Sequence, residues 1–280
     1  MPARRRTLLL ALGLLSLHAG GFLFAQARPA DEQIWQDFLK WFDARPESTT
    51  FRVLMRDYRQ KLAADGLAPS VIDQRIAVIE KAVRERRGEW ARIFYNKSYA
   101  SATYTFNTDP NAFLVRMVES LKPGKALDSG MGQGRNAVFL AHKGWEVTGY
   151  DISEQGIAVA RKNAERAGVK INAVVADHDG FDWGTERWDL VCMIYAGPRS
   201  PAKLYSALKP GGVVIMESFL YDAAERQGAK PPDLAGPNEL LGHFKDFRIL
   251  HYEDVEGVSD FPPRRKTRLV RLMAQKPQTR

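Results

Sequence analysis

A chain of 280 residues, 45% apolar and 26% charged, has enough core-forming material for one large domain or a domain with an appendage, which excludes a disordered chain. Arg4, Arg5 and Arg6 carry three of the eight net positive charges; the mild excess left suits solubility or an anionic substrate and lacks the clustering that nucleic acid requires, so no nucleic-acid partner is expected. The single cysteine, Cys192, excludes an intramolecular disulfide, and with five scattered histidines there is no metal-ligand spacing.

Residues 1–27 have the three parts of a secretory signal: the basic Arg4–Arg6, an apolar run from Leu8 to Leu17, and Ala25-Gln26-Ala27 as a cleavage site. "RRTLL" also resembles a twin-arginine signal. His18, Gly20 and Gly21 interrupt the apolar run and leave it short for a membrane span. The expectation is export, to a periplasm or the medium, with a mature chain beginning at Arg28. The alternative is an uncleaved leader tethering the protein to the cytoplasmic face of a membrane, the one membrane contact expected.

Residues 28–104 read as a helical extension of about three helices. Asp31–Asp43 carries Ile34, Phe38 and Phe42 at helical spacing. Thr49–Ala64 follows Ser48 as a candidate N-cap and stops before Gly66. Ser70–Arg87 places Ile72, Ile76, Ile79 and Val83 on one stripe. The basic "EKAVRERRGEW" reads as a solvated helix face.

Residues 105–280 have a different texture. "DPNAFLVRMVESLKPG" reads as a helix with Asp109 as N-cap and Pro110 at its first position. The strand-like runs "KALDS", "WEVTGYD", "INAVVAD", "RWDLVCMIY" and "GGVVIMESF" then alternate with the helical "RNAVFLAHKG", "SEQGIAVARKNAERAG" and "SPAKLYSALKPGG". Within the fourth run Cys192 reads as a buried small hydrophobe. Such alternation predicts an α/β fold, a doubly wound and mostly parallel sheet with right-handed crossovers. At the end "FRILHYEDVEG" and "TRLVRLMAQK" follow each other without a helix, which predicts an antiparallel pair and seven strands in all.

The chemistry concentrates in Asp128-Ser-Gly-Met-Gly-Gln-Gly134. Ligands of open α/β sheets bind beyond the carboxyl ends of the strands. There Gly130, Gly132 and Gly134 allow a sharp turn that brings backbone amides and the next helix N-terminus to a ligand. Gly132-x-Gly134-x-x-Ala137, with Asp151 further on, also fits a dinucleotide fingerprint. Against that reading, Asp128 and Ser129 fall in a strand expected to be apolar, and a pyrophosphate gains nothing from Asp128. S-adenosylmethionine (SAM) carries an ammonium and a sulfonium, which an acid beside the turn attracts. Asp151 ends the second strand, in reach of ribose hydroxyls, and Asp177 ends the third, in reach of an adenine amino group. Ile152 can pack on the adenine. The alternative is that these acids are capping residues, with Asp151 or Ser153 capping the next helix.

The pattern Asp128-x-Gly-x-Gly-x-Gly134, then Asp151, then Asp177, with the terminal strand pair, resembles the class I SAM-dependent methyltransferases over residues 105–276. "LDSGMGQGRNAVFLAHKGWEVTGYD" is similar to their tellurite-resistance branch, where the glycine turn also runs into Arg-Asn. The resemblance implies SAM as cofactor and a small-molecule methyl acceptor such as an oxyanion or thiol. It implies cofactor contacts at Asp128, Ser129, Gly130, Met131, Gly132, Gly134, Asn136, Asp151, Ile152, Asp177, His178 and Tyr195. Met131 stands where the family usually has Cys. Tyr195 can instead line the acceptor site or pack in the core. "MIYAGPRSP" after the fourth strand lacks the Asn or Asp used for amide and nucleobase amino methylation. No general base is identified. The segments "YAGPRSP", "FLYDAAERQGAKPPDLAG" and "EGVSDFPPRRK" are expected to wall the acceptor pocket, and "YTFNTDPN", before the domain, to fold over the cofactor. A nicotinamide-dependent oxidoreductase and a non-catalytic SAM-binding protein are the competing readings.

Overall fold

The structure, a computed structural model, describes residues 29–45, 50–101, 106–196, 200–220, 238–261, 264 and 266–278. The signal-like leader, Ser48, Arg265 and nearly all of "FLYDAAERQGAKPPDLAG" lie outside the described residues.

The described chain opens with the helices α1 (Pro29–Asp43), α2 (Phe51–Ala64), α3 (Pro69–Glu85) and α4 (Arg87–Ala100). They bury a core of their own, with Trp35, Phe38, Phe42, Tyr58, Ile79 and Trp90 interlocked. The sequence predicts three helices, the third ending at Arg87. The chain instead breaks at Arg86 (φ −111°, ψ 42°) and starts α4. This helix escapes periodicity because it is packed on two sides: Trp90 enters the helical core, while Asn96 and Tyr99 face the sheet domain. No single apolar stripe results.

The next helix, α5 (Ala112–Val118), is capped by Asn111, whose side chain accepts from the Leu114 N–H at 3.0 Å. The predicted cap, Asp109, and Pro110 lie before it, because an Asx side chain two positions later satisfies the helix N–H.

The seven strands are β1 (Lys125–Ser129), β2 (Glu146–Asp151), β3 (Asn172–Val175), β4 (Trp188–Ile194), β5 (Leu208–Phe219), β6 (Arg248–Val258) and β7 (Lys266–Gln275). They lie in the order β3-β2-β1-β4-β5-β7-β6. The first five are parallel, and β7 enters antiparallel between β5 and β6. Helices α6 (Arg135–His142), α7 (Glu154–Arg166), α8 (Pro201–Ala207) and α9 (Glu239–His243) complete the order. Successive strand residues serve opposite faces: Leu127 and Val191 belong to one core, and Ala126, Leu190 and Cys192 to the other. Cys192 is fully buried, and desolvation raises its thiol pKa well above the ordinary value. The chain reverses direction across the sheet between β1 and β4, so a crevice opens at their carboxyl ends.

Candidate functional site

The crevice begins with the turn between β1 and α6. Gly130, Gly132 and Gly134 all have positive φ (67°, 53° and 77°). A Cβ at Gly132 would stand 2.1 Å from the hydroxyl oxygen of Tyr99 on α4. The bare backbone there admits a neighbouring helix as well as any ligand, which sequence reasoning did not foresee.

Asp128, at the foot of the turn, is 1% exposed, and its Oδ2 has no hydrogen-bond partner among the described residues. Desolvation dominates and pushes its pKa up to about 7; the Arg135 charge and the Ala137 N–H oppose that shift, and nearby Asp151 adds to it. A buried carboxylate oxygen lacking a donor costs free energy unless a ligand supplies one.

The adjacent corner belongs to β2 and α7. The Asp151 carboxylate accepts from the Gly132 N–H at 2.8 Å and the Ser153 N–H at 2.9 Å. Burial raises its pKa, and these amides partly counter the shift. Ser153 caps α7 by accepting from the Gly156 N–H at 2.9 Å. Asp177 lies two residues past β3, is exposed, and accepts from the Gly180 N–H at 2.6 Å. Ile152 and Asp177 line one cavity of about 410 Å³, with Val175, Ala176 and Glu154 beside them and Gly88, Glu89 and Arg92 of α4 opposite.

Other predicted contacts direct their side chains elsewhere. Ser129 Oγ shares a hydrogen bond with the Tyr150 hydroxyl (2.7 Å), which also meets His178 Nδ1 at 3.0 Å. Met131 lies against Gly149 in the sheet core. Asn136 accepts from the Asn111 N–H at 2.9 Å. Tyr195 sits at the far side of the crevice with φ 58°, a conformation that costs of order 1 kcal/mol or more and is held by surrounding bonds. Its N–H donates to the Glu217 carbonyl at 2.8 Å and its hydroxyl to Glu217 Oε1 at 2.6 Å. Burial and the Glu217 and Asp260 carboxylates push the phenol's pKa upward.

That far side holds residues which sequence reading missed. Glu217, 2% exposed, also accepts from Asn111 Nδ2 (2.9 Å) and Arg271 Nε (2.5 Å). Arg271 also donates to Glu253 (3.0 Å), and Arg135 grips Asp260 through two 2.9 Å bonds. Above this network the half-buried rings of Phe106, Phe261, Tyr195 and Phe219 follow one another at centroid distances of 5.9, 5.4 and 4.9 Å. The available signal was an acid inside the apolar "VVIMESF" facing an arginine inside "LVRLMA"; pairing puts Glu217 opposite Arg271 and Arg271 opposite Glu253.

Residues 126–212 match a methyltransferase domain family. A probable SAM-dependent methyltransferase, TehB of Haemophilus influenzae, is 32% identical over 174 residues, covering 59% of this chain and 60% of its own length. A protein named Hemagglutinin 1, from Eikenella corrodens, is 27% identical over 160 residues, covering 54% and 53%. The crystal structure of Haemophilus influenzae TehB aligns with a TM-score of 0.50 at 21% identity, over 66% of this chain and 67% of that one. The chain thus spans about half to three-fifths of the length of these curated relatives. The sheet domain is similar over residues 126–212 to a methyltransferase domain and, over a longer stretch, to TehB, a relative whose name gives SAM as its cofactor.

Proposed function

We propose that this chain is a SAM-dependent methyltransferase acting on a small, largely apolar acceptor with one nucleophilic oxygen, nitrogen or sulfur. The observation that carries the cofactor half is Asp128. A buried carboxylate with an oxygen lacking a donor, at the foot of a glycine turn, fits the positively charged methionine end of SAM. Asp151 is placed to take the ribose through the lone pairs its two amide donors leave, and Ile152 with Asp177 to take the adenine. The backbone of the glycine turn lies between these two ends.

SAM, when bound, supplies a methyl group already activated by its sulfonium. What remains for the protein is alignment of the acceptor and exclusion of water. Phe106, Phe261, Tyr195 and Phe219 offer rings for an apolar acceptor to pack on. In the network beside them, Arg135 is engaged by Asp260 and Arg271 by Glu217 and Glu253. An oxyanion would therefore compete with carboxylates for its partners, and this favours neutral acceptors.

Titration calorimetry with SAM and with NADH, followed by transfer of a labelled methyl group to phenols, amines, thiols and oxyanions, tests both halves. SAM binding with transfer to neutral aromatic acceptors is the expected result. Binding of NADH instead of SAM would move the chain to the oxidoreductases, and transfer to oxyanions alone would overturn the acceptor assignment.

A further inference from the structure

Helix α4 belongs to the helical unit before the sheet domain, outside residues 126–212 that match the methyltransferase domain. Yet it touches the β2–α7 corner, which carries Asp151, at three separate points. Asn96 Oδ1 accepts from Ser153 Oγ at 2.7 Å and from the Gln155 N–H at 3.2 Å, while its amide nitrogen donates to Glu154. Arg92 stands 3.8 Å from Glu154. The Tyr99 ring fills the space over Gly156, where a Cβ would lie 3.0 Å from it, and its hydroxyl fills the space over Gly132.

These contacts shape the cavity of about 410 Å³. Its floor is Ile152, Val175 and Ala176 with Asp177 at the edge, and the side facing them is Gly88, Glu89 and Arg92. A Cβ at Gly88 would lie only 3.9 Å from Ile152 Cδ1, so the two sides nearly meet there. An apolar floor, a carboxylate edge and a planar guanidinium suit a flat heteroaromatic base with an exocyclic amine. Removing α4 would leave that cavity with one side.

We propose that α4 is the outer wall of the SAM site: Gly88 and Arg92 close its adenosine end opposite Ile152 and Asp177, and Tyr99 braces the glycine turn. The helical unit and the methyltransferase domain then hold the cofactor jointly. This rests on the SAM reading above, and it gives the N-terminal helices a binding role.

The test uses the full chain, calorimetry with SAM, and hydrogen exchange with and without SAM. Gly88→Leu puts a side chain into the cavity at a helical position that favours Leu over Gly, so folding is retained. The expected result is a Kd for SAM raised at least tenfold with an unchanged or higher Tm. In the unaltered chain, SAM should slow exchange of the amides of residues 87–100 as well as those of the glycine turn. An unchanged Kd in Gly88→Leu would overturn the wall. Protection of the glycine turn without any in α4 would overturn it too, and that measurement needs no variant. Failure of the unaltered chain to bind SAM would instead overturn the cofactor reading itself, and the wall with it.

Discussion

Two acids lie equally deep at the carboxyl edge of the sheet and live in opposite conditions. Glu217, near the end of β5, has both oxygens occupied by Asn111, Tyr195 and Arg271. Asp128, near the end of β1, is as buried but has an oxygen with no donor among the described residues, and desolvation lifts its pKa to about 7. The first is part of the framework that holds the end of β5 to β7 and to the segment before α5. The second is held at a cost by the fold around it, with an oxygen open to a donor. Burial alone therefore does not mark a functional acid; a missing partner does.

The comparison breaks most visibly at Glu217. Glu217→Ala leaves Arg271 with Glu253 alone and removes the acceptor for Asn111 and for the Tyr195 hydroxyl. Removing one member of a buried pair costs about 3 kcal/mol or more. Chemical denaturation should show a loss of that size, with SAM affinity of the folded fraction retained. A loss under about 1 kcal/mol would mean that the network is decoration.

Asp128→Asn should do the reverse. Asparagine keeps the shape and removes the charge that attracts a cation, so SAM affinity should fall by about 1.5–3 kcal/mol, the range for a hydrogen bond involving a charged group. Stability should rise, but only at high pH. The folded pKa of about 7 lies above the unfolded value of 3.8, so the folded state keeps a proton that the unfolded state has lost. Stability from this group is therefore fully present below about pH 4 and is lost as pH rises through 7. The variant should melt higher than the parent at pH 8 and alike at pH 4; melting curves at the two values decide. The same proton opposes SAM. Below pH 7 it must leave before the carboxylate can attract an ammonium, so the Kd should rise roughly tenfold per pH unit in the parent and stay flat in Asp128→Asn. A flat profile in both would remove Asp128 from the site.

How far the sequence reveals this depends on where each element's information lies. The parallel strands were legible as apolar runs alternating with helices, and the antiparallel ending because no helix separates β6 from β7. The glycine turn was legible as a turn, but Tyr99 over Gly132 was not, since Tyr99 is 33 positions away on a helix with no apolar stripe. The role of Asn111 was hidden in the same way: its side chain caps α5 and reaches Glu217 and Asp260, a contact spanning the whole domain. Local patterns predict elements; the site is made where distant elements meet.

The smallest effect is expected at Asp177. By position it resembles Asp151, which ends β2 as Asp177 follows β3 by two residues, and sequence spacing treats the two alike. Their surroundings differ. Asp151 is buried with two amides on its carboxylate, while Asp177 is exposed and its Oδ1 is already taken by the Gly180 N–H at 2.6 Å. Any bond it makes to an adenine amino group is made in competition with water, which brings its net value down to about 1 kcal/mol or less. Loss of the turn contact costs a few tenths to about 1 kcal/mol of stability in addition. Asp177→Ala should thus raise the Kd for SAM no more than about fivefold, while Asp151→Asn raises it considerably further. Calorimetry on the two variants under one set of conditions checks the ranking. Equal losses would show that exposure at Asp177 ends when SAM binds, with α4 closing over the adenosine end.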